Sequence, residues 1–156
     1  GVACLVFATI PANVWADTAP CENNFAARDG FFDKKIYKTW QDIRDLTSQM
    51  IFKRAYSYLV KGGWVIKLAD TETGVIIASQ VEESSGGAGK VASLNILVEN
   101  SGNYFGGVPS KRGVPGAFRV TMTFSVPGGL HAHEDMVRES FCNALAEIKN
   151  GTYAAR

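Results

Sequence analysis

The feature that most restricts this chain is the run Phe118 to Val126, where Phe118, Val120, Met122, Phe124 and Val126 alternate with Arg119, Thr121, Thr123 and Ser125. A strict period of two describes a strand with one covered face and one wet face, as antiparallel sheets allow and buried parallel sheets do not. The covered face needs a layer of its own, so this stretch predicts a sheet with helices on one side.

Three other stretches supply strands. Trp64 to Ala69 places Trp64, Ile66 and Leu68 on one side, Asp70-Thr71-Glu72-Thr73-Gly74 turns the chain, and Val75 to Val81 returns as a hairpin partner. In the next strand Leu94, Ile96 and Val98 share a face opposite Ser93, Asn95 and Leu97. Helical spacing brackets the strands. Thr39-Trp40-Gln41-Asp42 reads as a capping box with a shortened acid. Trp40, Ile43, Leu46, Met50, Ile51, Ala55, Tyr58 and Leu59 then recur at three and four residues until Gly62-Gly63. Met136, Val137, Phe141, Leu145 and Ile148 mark a final helix ending near Asn150-Gly151. The expected fold is an α+β two-layer sandwich in the order α-β-β-β-β-α, a four-stranded antiparallel sheet covered by two helices.

The expected organisation is a partial signal peptide at 1–16, an N-terminal arm at 17–36, one domain at 37–151 and a tail at 152–156. Val2 to Ile10 is almost wholly apolar, Pro11 ends the run, and Val14-Trp15-Ala16 suits cleavage before Asp17. The run is too short to span a bilayer, so no transmembrane segment is expected in the mature chain. Gly1 and the missing basic n-region fit a truncated precursor. Cleavage removes Cys4 and leaves Cys21 and Cys142 as an even pair. The pair reads either as one disulfide, consistent with a periplasmic or secreted protein, or as free buried thiols.

A helix ending in Leu59-Val60-Lys61-Gly62-Gly63-Trp64, then a strand, Asp70, Gly74 and a second strand, resembles the helix-grip domains of envelope proteins such as the outer-membrane assembly lipoprotein BamC. The resemblance covers roughly residues 37 to 81. It implies a non-catalytic envelope module that contacts other proteins, and it carries over no functional residue.

With 16 basic and 15 acidic residues the chain lacks the footprint of a nucleic-acid binder. The connection from Glu99 to Gly116 holds Tyr104, Phe105, Lys111 and Arg112, a combination suited to an envelope or secreted protein partner. An exported protein-interaction module is the leading expectation. A second is a periplasmic small-ligand binder, for which a pocket lined by Trp64 or Phe118 would speak. A third is a metal-dependent hydrolase using His131, His133 and Asp135, letters of a His-x-His-x-Asp metal motif like that of metallo-β-lactamase-like hydrolases. Glu134 and Asp135 equally suit the first turn of the last helix, where carboxylates favour the macrodipole. No cofactor and no catalytic constellation is expected.

Overall fold

The computed structural model describes residues 20–83, 89–101 and 116–151 of the 156-residue chain. A helical turn over residues 20–23 leads into β1 (Ala26–Asp29), β2 (Lys35–Leu46), α1 (Ser48–Lys61), β3 (Val65–Asp70), β4 (Val75–Glu83), β5 (Gly89–Asn100), β6 (Gly116–Val126) and α2 (Glu134–Asn150). The strands form one six-stranded sheet in the order β1-β2-β6-β5-β4-β3. Every pairing is antiparallel.

This corrects the expected four-stranded sheet with two helices: β1 and β2 precede α1, and the short helix at residues 20–23, a third one, precedes both. Residues 39–46 are extended and pair with β6 from Thr39↔Met122 to Leu46↔Gly116. The spacing of Trp40, Ile43 and Leu46 imitates a helix, yet the inward face is Tyr37, Thr39, Gln41 and Ile43, all buried. Two of those four positions are polar, so the apolar alternation that betrays a strand is interrupted. Thr39 is tolerated there because its hydroxyl donates to the carbonyl of Cys21 at 2.7 Å. The strand ends where the register shifts between Arg44 and Leu46 and Asp45 takes a φ of 66°. The true helix cap is Thr47, whose side chain accepts the Met50 N–H at 3.1 Å.

From that cap onward α1 buries Ile51, Phe52, Ala55 and Leu59, while Met50 stays largely exposed. The β3–β4 hairpin forms as expected. Asp70 accepts the Glu72 N–H and the Thr73 hydroxyl, both at 2.9 Å. Gly74 has φ 75°, and a Cβ there would collide with the Val98 carbonyl oxygen. A register shift between Ile66 and Leu68 turns Leu68 away from the core, opposite Ile77, so Trp64, Ile66 and Leu68 do not share one face. In β5 and β6 the inward sets Leu94, Ile96, Val98 and Phe118, Val120, Met122, Val126 are buried as their alternation predicts. Gly151 closes α2 in the left-handed conformation, its N–H donating to Glu147.

Cys21 and Cys142 form a disulfide, with Cα atoms 5.5 Å apart across a separation of 121 residues. The bond fastens the helical turn to α2, and Asn24 Nδ2 adds a hydrogen bond to the Trp40 carbonyl at 3.0 Å. On the open face of the sheet, Arg119 lies 3.7 Å over the Trp40 ring and donates to both carboxylate oxygens of Asp42 at 3.0 and 3.1 Å. Residues 1–16 and the loop residues Tyr104, Phe105, Lys111 and Arg112 lie outside the described residues.

The β1–β2 hairpin turns on Phe32 and Asp33, both left-handed with φ of 59° and 58°. Such φ values suit Asn-Gly, whereas a Cβ costs roughly 1–2 kcal/mol in this region. Phe32→Asn/Asp33→Gly is therefore expected to raise stability by about 1 kcal/mol in urea unfolding. Replacing both bridged cysteines with Ala is expected to lower it by roughly 4–5 kcal/mol, the loop-closure value for so long a separation, measured as the shift in denaturation midpoint.

Candidate functional site

A cleft of about 610 Å³ opens between the C-terminal end of α1, the N-terminal half of α2 and the inner face of the sheet. Its floor is Leu94, Met122 and Phe124, consecutive inward residues of β5 and β6. Val137, Phe141 and Ala144, one stripe of α2, make one wall. Trp64 and Tyr58 make the other.

The placement of Trp64 follows from the two glycines before it. Gly62 caps α1 by donating to the Tyr58 carbonyl at 3.0 Å, and Gly63 takes φ 81°. This reversal lets the Trp64 N–H donate to the Leu59 carbonyl at 3.0 Å, which turns the indole toward the sheet instead of continuing the helix. There it meets Phe124 edge-on, with centroids 6.0 Å apart and planes at 86°. Phe124 meets Phe141 edge-on at 6.4 Å and stacks with Tyr37 at 6.3 Å. Phe25 completes the cluster against Tyr37 and Phe141. Such pairs contribute beyond their buried area and hold the rings in fixed orientations.

The rim is polar. Gln80, Ser140, His131 and His133 stand around the mouth, with Met136 exposed beside them. After β6 the chain turns at Pro127–Gly129, and the Tyr37 hydroxyl donates to the Ala132 carbonyl at 3.2 Å, pinning the segment that carries both imidazoles. His133 is the N-cap residue of α2 but makes no side-chain cap bond, so its ring is available to the cleft. Glu134 and Asp135 occupy the first turn, as the macrodipole favours. Arg138 donates to both, at 3.3 and 3.4 Å, with its guanidinium 4.9 Å from the centre of the Phe25 ring.

His131 and His133 thus come to one rim, but Asp135 is engaged by Arg138. Among the described residues no three His, Cys, Asp or Glu side chains are grouped so as to hold a metal ion. A second hollow of about 480 Å³ lies at the other end of the sheet, lined by Phe52, Phe118, Ser48 and the Thr71–Gly74 turn. Among the described residues it brings in two aromatic rings, against four in the first cleft. The sequence pointed to Trp64 as a pocket residue. It did not pair Phe124 with Phe141, since a strand and a helix 17 positions apart meet only once the sheet is covered.

No protein-family model matches the sequence, and no curated protein is similar to it. Among solved structures, the chain is similar to a conserved protein of unknown function from Enterococcus faecalis, with a TM-score of 0.51 and 8% identity over 86% of this chain and 80% of that one. A TBP-like protein from Parabacteroides distasonis aligns at a TM-score of 0.32 and 10% identity, covering 78% of this chain and 88% of that one. The likeness to the Enterococcus protein is one of fold alone.

Proposed function

We propose that this protein binds a small, largely apolar molecule with a hydrogen-bonding head group in the Trp64 cleft. The observation that carries the reading is the cleft itself, about 610 Å³ with four aromatic rings on its walls and floor. Small-molecule sites are concave, fall at about 300–1,000 Å³, and combine apolar walls with a few convergent polar groups. Trp64, Phe124 and Phe141 offer flat faces and edges already locked by one another, so an entering ring or hydrocarbon finds a surface that need not reorganise. His131, His133 and Ser140 lie at the mouth, where imidazole nitrogens and a hydroxyl supply both donors and acceptors to a polar head.

We infer separately that the protein works in an oxidising compartment, periplasmic or secreted. The Cys21–Cys142 bond supports it, because such bonds persist outside the reducing cytosol. The expected protein-interaction role rests on the envelope resemblance and the cysteine pair, and its contact residues Tyr104, Phe105, Lys111 and Arg112 lie outside the described residues, whereas those of the cleft lie within them.

The test is a titration with N-phenyl-1-naphthylamine, a neutral apolar dye whose emission rises when it leaves water. Wild-type protein is expected to bind it saturably, one molecule per chain, with quenching of Trp64. Ser140 is exposed at the rim, so Ser140→Trp plugs the mouth without disturbing the core. It is expected to weaken binding at least tenfold, about 1.4 kcal/mol, at an unchanged melting temperature. Equal binding by Ser140→Trp would place the dye elsewhere and remove this reading.

A further inference from the structure

Two large apolar side chains stand where folding would not put them. Phe31 is 89% and Phe32 96% exposed, side by side at the tip of the β1–β2 hairpin. Phe32 also holds a left-handed backbone, φ 59°, in which a bulky side chain is an outlier. Both features are unfavourable in water and neither is required by the turn, which Asn-Gly would make without strain. An unfavourable backbone and an unfavourable exposure at one position point to a role outside the folded chain.

The tip is firmly seated. Gly30 N–H donates to the Lys34 carbonyl at 2.6 Å, and Lys34 N–H to the Phe31 carbonyl at 3.3 Å. The backbone of the tip lies so close to the Pro127–Gly129 turn that a Cβ on Gly128 would stand 2.6 Å from the Phe32 carbonyl oxygen. The two rings are therefore carried on a fixed support and directed outward.

The neighbours of the rings in sequence decide what can cover them. Arg28, Asp29, Asp33, Lys34 and Lys35 surround the pair with charge. A stable protein interface needs roughly 800 Å² per partner with a core depleted of charge. A narrow turn tipped by two aromatic rings, beside which Arg28, Lys34 and Lys35 outnumber Asp29 and Asp33, has another shape, that of a wedge whose rings enter the acyl boundary while cations remain among phosphates. The five charges sum to one excess positive. Lys35 stays protonated, its hydrogen bond to Asp29 at 3.0 Å raising its pKa above the ordinary lysine value.

We infer that the Phe31–Phe32 tip docks the protein on the surface of a phospholipid bilayer. The inference stands on the hairpin alone and does not depend on a ligand in the cleft. His131 and His133 follow directly on the turn that seats the tip, so a docked bilayer lies at the end of the sheet where the cleft opens.

The experiment compares the full chain with Phe31→Ser/Phe32→Ser by co-flotation with phosphatidylcholine vesicles containing about 30% anionic phospholipid. Both side chains are exposed, so the variant is expected to keep the wild-type melting temperature while its partition falls at least tenfold. Phe32→Trp, read against wild type, is expected to shift its emission to the blue on vesicles and to be quenched by brominated acyl chains. Wild-type protein that does not float, or a double variant that floats equally, would overturn the inference. So would a dimer in lipid-free solution that dissociates in Phe31→Ser/Phe32→Ser, since the rings would then be covered by a second copy. None of these outcomes bears on dye binding in the cleft, so the two readings fail separately.

Discussion

The pairing of β2 with β6 runs from Lys35↔Val126 to Leu46↔Gly116 and joins segments about eighty residues apart. Until it forms, β1 and β2 are a hairpin detached from the rest of the sheet, and Phe124 lacks the Tyr37 ring on which it stacks. Closing so long a loop is entropically unfavourable, and long-range strand pairing is slow for that reason. The Cys21–Cys142 bond acts on the same constraint, because Cys21 lies just before β1 and Cys142 in the helix that follows β6. The cross-link holds together the two ends that β2–β6 must bring into register, which lowers the entropy lost in closing that loop.

One end of this sheet carries both the aromatic hairpin tip and the cleft. The turn after β6 supports the aromatic hairpin tip on one side and leads into the two imidazoles on the other. The cleft stays open because α1 stops at Gly62 while the inward rings of β6 and α2 continue past it. The opposite face of the sheet is closed to such a role in its centre, where Asp42, Arg119 and Trp40 satisfy one another. Phe31 and Phe32, their left-handed turn and the Trp64 cleft therefore share one end of the sheet.

Legibility in the sequence followed the purity of each pattern. β5, β6 and α2 were readable because apolar and polar residues alternate or recur with little interruption, and the β3–β4 hairpin was readable from its Asp70–Gly74 turn. β2 was misread as helix because Thr39 and Gln41 occupy core positions, leaving Trp40, Ile43 and Leu46 as the only apparent rhythm. β1 has only four residues, mostly exposed, and carries no alternation of its own. The shifts at Asp45 and Lys67 are invisible in composition, yet the second turned Leu68 outward. The His-x-His spacing of His131 and His133 suits metal chemistry, and the structure sets both on the rim of an apolar cleft.

By itself the sequence determined a one-sided antiparallel sheet, a covering layer of helices and the acidic hairpin turn at Asp70–Gly74. These depend on local periodicity and on backbone freedom at glycine, both of which act within a few residues. Tertiary structure decided the number of strands, the polar core positions of β2, the aromatic enclosure of the cleft and the outward aim of Phe31 and Phe32. Each of these turns on which distant surfaces meet. Whether a Thr is buried or a Phe exposed is a property of the neighbours the fold supplies, and the residue's own chemistry does not settle it.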